Sequence, residues 1–315
     1  MSDTGNLVLE NPNTPFSHFP YGESFSKNAT SRCSNDLLMI DYFALDAGLP
    51  LLNPYLNKNA STNHGVNFAV AGATTFPFET LFQKNITGLV TNSSLSHQFD
   101  WMFSHFNFIC HNPTECHDKL NNALFIVEIG GNDYNFAMLK GQSLEQLKDL
   151  TPDEAISYGT TRVIVAGNFP IGCLPFYLTS YPTNDTTTYD EFHCLKDFNA
   201  LATHHNKQIK KVIKVLRKEN PHTIIVYADF YNALQSILHH ATNLGFDEAS
   251  LQKSCCGIGG NYNYDLQNTC GAGVPVYQNP NNHISWDGVH MTQNAYKFMA
   301  HLLFENMFPK LRCIV

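Results

Sequence analysis

The feature that most constrains this 315-residue chain is a series of short apolar runs separated by helix-length segments. Residues 123–129 (ALFIVEI), 162–166 (RVIVA) and 223–228 (TIIVYA) have the length and composition of buried strands. Residues 189–219, between the last two runs, predict one long amphipathic helix that ends before Pro221. This alternation of strands and helices predicts an α/β fold with a doubly wound parallel sheet.

The first 75 residues predict loops around one helix and one short strand. Residues 1–35 contain Gly, Pro, Asn and Ser at the density of a loop, whereas residues 36–48 crowd their apolar side chains on one helical face. Residues 67–74 (NFAVAGAT) predict a buried strand that opens into a tight loop at Gly72. Small residues there would let the backbone approach a ligand, or Gly72 would only serve the turn of a strand end.

Composition limits the class of protein and its partners. With 43% hydrophobic residues and no low-complexity linker, we expect a single domain over residues 1–315. The 19 basic and 27 acidic residues give a net charge of -8, and no basic block is interleaved with aromatics, which argues against nucleic acid as a partner. No apolar run reaches the roughly 20 residues of a membrane span. We also expect the protein to be a monomer.

Asp287 and His290 form the clearest candidate for a catalytic pair. An Asp three residues before a His, with Gly288 between them, can hold a carboxylate against an imidazole on one tight turn. Such a carboxylate fixes the tautomer of the His and stabilises the imidazolium after a proton transfer. The alternative is a helix cap beside a surface histidine.

A second candidate site follows the apolar run that ends at Ile129. Gly130 and Gly131 precede Asn132 there, and ligands of open α/β sheets bind at the carboxyl ends of the strands. The Asn132 carboxamide is a neutral donor that could bind a developing oxyanion. A plain type I′ or II turn explains the same residues.

Histidine pairs and cysteines give weaker signals. His204-His205 and His239-His240 lack companion ligands at i+4, so we interpret them as solvated or capping residues and predict no metal. Nine cysteines occur in all, so an odd one stays unpaired. We predict disulfides rather than redox centres, with open connectivity. The expected members are Cys110, Cys116, Cys255, Cys256 and Cys270.

The compartment signals conflict. The cysteines and five Asn-x-Ser/Thr sequons suit a secreted glycoprotein, although sequons also arise by chance. The sequons are at Asn28, Asn59, Asn85, Asn92 and Asn184. Residues 1–6 (MSDTGN) form a polar run that does not resemble a signal peptide. The chain is therefore either cytosolic with unusual cysteines, or its beginning is missing.

Five sequence blocks occur here in the order found in the plant GDSL esterase/lipases, and the resemblance covers essentially the whole chain. The blocks are residues 2–6 (SDTGN), 67–73 (NFAVAGA), 130–133 (GGND), 167–173 (GNFPIGC) and 287–290 (DGVH). Residues 11–15 (NPNTP) and 20–22 (PYG) resemble the branch that includes acetylajmalan esterase and sinapine esterase.

The resemblance implies an SGNH hydrolase fold, a three-layer α/β/α sandwich with a parallel flavodoxin-like sheet. It implies hydrolysis of a carboxylic ester through a serine acyl-enzyme without a cofactor, possibly of an acetyl ester of a plant specialised metabolite. His290 would be the general base and Asp287 its orienting carboxylate. The oxyanion hole would consist of the Gly72 backbone N–H and the Asn132 side chain.

The first block departs from the family pattern. The family has Gly-Asp-Ser, two residues and then Asp-x-Gly-Asn, so aligning Asp3, Gly5 and Asn6 places the nucleophilic serine immediately before Met1. Ser2 lies two positions along a turn and is a poor substitute. We therefore expect an N-terminally truncated form without the nucleophile, the first strand or the signal peptide of a secreted or vacuolar parent. The alternative function is an inactive relative that at most binds a ligand.

A second departure concerns the crossover before the run at 162–166. The family has a longer helix there, whereas this chain has a break at Thr151-Pro152 between two short helical stretches, residues 144–150 and 153–158.

Overall fold

The computed structural model describes residues 2–110, 112–141 and 161–311. The Cα positions fall into two compact units, and the prediction of one domain over residues 1–315 stays a prediction. The first unit comprises Met1–Ala71, Phe169–Ala202 and Tyr231–Phe304, and the second comprises Gly72–Asn168, Thr203–Phe230 and Glu305–Val315. The predicted break in the crossover, residues 144–158, lies outside the described residues.

Ten α-helices occur within the described residues. They are α1 (Asn6–Glu10), α2 (Met39–Asp46), α3 (Phe78–Gln83), α4 (Leu95–Ile109), α5 (Pro113–Asn122), α6 (Gly131–Leu139), α7 (Pro175–Ser180), α8 (Lys196–Glu219), α9 (Phe230–His239) and α10 (Gln293–Leu311). No helix in this part of the chain is both long and apolar enough to span a bilayer.

Two parallel sheets are present among the described residues. In the first unit, β1 (Asn53–Pro54) pairs with β2 (Val66–Asn67). In the second unit, β3 (Phe125–Val127), β4 (Arg162–Ala166) and β5 (Ile224–Ala228) pair in that order. Parallel strands with helical connections confirm the predicted α/β class.

The core of the second unit forms where α8 covers the sheet. Ile209 and Ile213, one helical turn apart, pack with Val163, Val165 and Ile225. Each of these side chains is less than a tenth exposed, and burying one such side chain stabilises the fold by roughly 1.5 to 3 kcal/mol. The β-branched runs thus become strands because α8 supplies the apolar cover.

Several elements are shorter than the sequence predicts. The strand expected over residues 67–74 stops at Asn67, whose side-chain Oδ1 accepts a hydrogen bond from the Ala69 N–H at 2.8 Å and turns the chain. Helix α2 begins only at Met39, because Asp41 accepts from the Leu38 N–H at 2.8 Å and fixes the start there.

The long helix α8 also starts later than predicted, at Lys196 instead of residue 189. Tyr189 and Leu195 form an antiparallel bridge, and a disulfide joins Cys194 to Cys173. This covalent bond and the bridge hold residues 189–195 in an extended turn. The run at 123–129, expected to be a central strand, supplies only half-buried β3 at the edge of the described three-stranded sheet, where β4 is central.

One cysteine prediction is wrong. Cys256 and Cys270 form a disulfide, as expected for both, but Cys255 is a buried free thiol. Neighbouring residues of an extended segment point in opposite directions, so only one of the adjacent cysteines can face Cys270. Burial raises the pKa of the Cys255 thiol to about 12. Cys110 is disulfide-bonded, and the side chain of Cys116 lies outside the described set.

The interpretation of His205 as a solvated or capping residue is also wrong. Its side chain is 0% exposed, and its Nδ1 lies 2.8 Å from the Tyr134 hydroxyl. His205 is one turn before Ile209 on the apolar face of α8. This spacing is visible in the sequence and could have predicted that His205 is buried. Burial lowers the pKa of His205 to about 4, so the ring is neutral near pH 7. His239 and His240 are exposed.

A buried carboxylate ties the start of α6 to the loop after Gly72. Asp133 is 0% exposed and accepts hydrogen bonds from the backbone N–H groups of Thr75, at 2.9 Å, and Phe76, at 3.2 Å. Burial raises the pKa of Asp133 to about 6, although these hydrogen bonds oppose the shift.

Asp133 predicts a pH dependence of stability. Folding raises the pKa of Asp133 from 3.8 to about 6. The contribution of Asp133 to the free energy of unfolding is therefore fully present below pH 3.8 and is lost as the pH rises through 6. We expect this to lower the free energy of unfolding by about 3 kcal/mol between those pH values. Urea unfolding of Asp133→Asn against pH should lack this slope, whereas the exposed Asp46→Asn should keep it. An unchanged slope in Asp133→Asn would contradict the assignment.

Candidate active site

The Asp287–His290 turn has the geometry of a catalytic dyad. His290 Nδ1 lies 2.7 Å from Asp287 Oδ2, which confirms the predicted hydrogen bond. The other carboxylate oxygen, Oδ1, accepts from the backbone N–H groups of Val289 at 3.0 Å and His290 at 2.7 Å. With Nδ1 donating to the carboxylate, Nε2 is the ring nitrogen that can accept a proton.

Glycine is required inside this turn. Gly288 has φ +94°, and a Cβ at this position would lie 2.2 Å from the ring of Tyr264. The backbone N–H of Trp286 donates to His290 O at 2.8 Å and closes the turn. Asp287 caps no described helix, since α10 begins only at Gln293. The alternative of a helix cap beside a surface histidine is therefore wrong.

The charge state of Asp287 suits an orienting carboxylate. The side chain is 6% exposed, and burial by itself would raise its pKa. The charge of His290 and the hydrogen bonds from His290 and Val289 outweigh burial and hold the pKa of Asp287 below 3.8. At neutral pH the carboxylate is thus ionised and can stabilise an imidazolium.

Two aromatic residues beside the dyad were missed by the sequence interpretation. The Phe16 ring packs edge-on against the His290 imidazole, with centroids 5.7 Å apart. The Tyr21 hydroxyl donates to Asp287 Oδ2 at 2.9 Å. No spacing in the sequence links residues 16–21 to a turn near position 290, so only the folded chain reveals these contacts.

The second unit brings Asn132 against the loop of Gly72. Asn132 lies in the first turn of α6, after Gly130 in a left-handed conformation, and its Nδ2 donates to Ala73 O at 2.9 Å. A carboxamide has two N–H donors, and this bond uses one. The alternative of a plain turn at Gly130 is wrong, because α6 begins at Gly131.

The first sequence block is tied to the block before Gly72 within the first unit. Buried Asp3 accepts four backbone hydrogen bonds, of which the one from the Ala71 N–H, at 2.8 Å, spans 68 residues. Asn6 Nδ2 donates to Asn67 O and Ala69 O, both at 2.9 Å. Asp3 and Asn6 thus fix the start of the chain against residues 67–71. The sequence shows both residues as part of a motif, but it does not show these contacts.

Adjacent residues of α8 hold two strand-end loops of the second unit. His205 contacts the loop after β3, where a Cβ on Gly130 would lie 2.8 Å from its Cε1. Asn206 accepts from the Asn168 N–H at 2.6 Å and donates to Asn168 O at 3.0 Å, in the loop after β4. The helix thereby braces the loop that carries Asn132.

The candidate residues thus form two pairs. The structure joins Asp287 to His290 in the first unit, and it joins the Gly72 loop to Asn132 in the second. Among the described residues no group of three His, Cys, Asp or Glu side chains could hold a metal ion.

Gly72 provides a test of its loop. Its φ is +81°, and an added Cβ would lie 1.9 Å from Val90 Cγ2. We expect Gly72→Ala to lower the free energy of unfolding by about 3 kcal/mol, because it combines left-handed strain with overpacking. Val90 is half exposed, so Val90→Ala alone should cost little, and Gly72→Ala/Val90→Ala should regain the overpacking part. Urea unfolding measures all three variants, and a Gly72→Ala change below about 0.5 kcal/mol would contradict this loop conformation.

Comparison with known proteins shows the family to which the chain belongs. The family model GDSL-like Lipase/Acylhydrolase matches residues 2–303. Acetylajmalan esterase 1 of Rauvolfia serpentina is 42% identical over 99% of this chain and 85% of its own length. One GDSL esterase/lipase of Arabidopsis thaliana is 38% identical over 98% of this chain and 80% of its own length. Another is 43% identical over 79% of both. With its parallel sheet and this match, the chain belongs to the GDSL lipase/acylhydrolase family and has the SGNH hydrolase fold.

Proposed function

We propose that the protein containing this chain is a carboxylic ester hydrolase whose general base is His290. The observation that carries the proposal is the 2.7 Å hydrogen bond between His290 Nδ1 and the buried, ionised Asp287. Nucleophilic ester hydrolysis needs a general base with a fixed tautomer, and this bond fixes the tautomer of His290. The relatives named as esterases support the same reaction.

The proposed reaction follows the serine hydrolase scheme. A serine at the position that the family alignment places before Met1 attacks the ester carbonyl while His290 Nε2 takes its proton. The Gly72 N–H and the Asn132 carboxamide stabilise the oxyanion, and His290 then protonates the leaving alcohol. A water activated by His290 hydrolyses the acyl-enzyme. This scheme requires no metal or cofactor.

For the substrate, we propose an acetyl ester of a small plant metabolite. This rests on the names of the relatives from Rauvolfia serpentina, which are acetylajmalan esterases at 40 to 42% identity. The residues assigned to the reaction contact atoms that all esters share, so they do not specify the acyl or alcohol group. We also propose that the protein acts as a monomer.

The decisive experiment compares two chains. The first is the 315-residue chain as printed, and the second carries Gly-Asp-Ser directly before Met1 after an apolar strand. We expect the second chain to react with a fluorophosphonate probe and to hydrolyse nitrophenyl acetate, and the first chain to do neither. His290→Ala in the second chain should lower kcat by about 10⁶, the loss found when a triad residue is removed. The exposed His240→Ala is the matched control.

Two results would contradict the proposal. Failure of the serine-bearing chain to label or to hydrolyse any of a series of short esters would favour the inactive, ligand-binding relative. Labelling of the printed chain at Ser2, abolished in Ser2→Ala, would show that a different hydroxyl serves as the nucleophile.

We further propose that the protein passes through the secretory pathway to the apoplast or vacuole. All five sequon asparagines are exposed, and the described residues include two complete disulfides. Both features are typical of an oxidising compartment. We expect protein from native tissue to lose mass on treatment with peptide N-glycosidase, less so in Asn85→Gln. Mass spectra with bare asparagines and reduced Cys256 would indicate a cytosolic protein.

A further inference from the structure

The carboxylate of Asp287 has a donor that the dyad does not explain. Its Oδ1 accepts two backbone N–H groups, and its Oδ2 accepts from His290 Nδ1. The second donor to Oδ2 is the hydroxyl of Tyr21, at 2.9 Å, from a position 266 residues earlier in the chain. All four acceptor positions of the carboxylate are therefore occupied.

Tyr21 is held rigidly in this position. It is 2% exposed, and its ring packs edge-on against Phe16, at 5.0 Å, and Trp286, at 6.3 Å. Trp286 directly precedes Asp287, so the same turn that carries the carboxylate also orients the phenol. Burial and the charge of Asp287 raise the pKa of Tyr21 well above 10, so its hydroxyl remains a donor at every physiological pH.

We propose that Tyr21 is a positioning residue of the active site, whose hydroxyl keeps the Asp287 carboxylate ionised and directed at His290. This inference rests on the proposed function. Without the hydroxyl, a buried carboxylate oxygen loses one of its two donors. The carboxylate regains a donor by rotating or by taking up a proton, and either change weakens its support of the His290 imidazolium.

Two other groups face Asp287 and act differently. Tyr264 and Cys33 lie close enough to feel the charge of the carboxylate, and burial raises the pKa of both side chains. They stay neutral, and among the hydrogen bonds of the described residues only Tyr21 adds a side-chain donor beside His290. Tyr21 is therefore the residue whose removal should change the dyad.

Kinetics of the serine-bearing chain test the role. Tyr21→Phe retains the ring and its contacts, so KM should stay within about twofold, while kcat should fall about tenfold, as expected when a transition-state interaction weakens. Tyr177→Phe, an equally buried tyrosine in α7, should leave kcat unchanged. In an Asp287→Asn background Tyr21→Phe should have no further effect, because the two residues act as one unit.

Proton NMR of the printed chain tests the same point without catalysis. The low-field resonance of His290 Nδ1–H should shift in Tyr21→Phe and stay in place in Tyr177→Phe. If the serine-bearing chain hydrolyses no ester, the proposed function fails, and this resonance still decides the role of Tyr21. An unmoved resonance in Tyr21→Phe would overturn the inference, and so would an equal loss of kcat in Tyr177→Phe.

Discussion

The structure depends on buried carboxylates that must be supplied with hydrogen-bond donors. Desolvating a carboxylate costs several kcal/mol unless donors replace water, so each buried Asp fixes the backbone that surrounds it. Asp3 holds the start of the chain against Ala71, and Asp133 holds α6 against the loop at Thr75. Asp287 folds its own turn around His290. Each of these hydrogen bonds therefore fixes the position of one of the sequence blocks described above.

The pKa values of these carboxylates shift in different directions because their partners differ. Backbone N–H groups alone do not offset burial at Asp3 and Asp133, and the pKa of both stays raised. At Asp287 an imidazole within 2.7 Å adds an interaction with charge, and the pKa falls below 3.8. All three carboxylates are buried and accept backbone hydrogen bonds, and of the three only Asp287 also has an imidazole partner.

Local patterns predicted most of the regular structure, whereas contacts between distant residues were not predictable. Strands β4 and β5 were predicted within a residue, because β-branched runs report directly on buried strands. The start of α8 was misplaced because it depends on a disulfide to Cys173, and no propensity encodes a partner 21 residues away. The hydrogen bond of the Asp287–His290 turn was foreseen because its residues are neighbours in sequence. Tyr21 was not, because 266 residues separate it from Asp287.

Reaction and substrate are set by different residues in such a site. In the proposed reaction His290 transfers the protons, Asn132 binds the oxyanion and Asp287 orients His290, so these groups engage only the ester function that every ester has. The phenol of Tyr21 contacts Asp287, and His205 and Asn206 contact the loops that follow β3 and β4. Membership of the family therefore indicates the type of reaction, but it does not indicate which ester is the substrate.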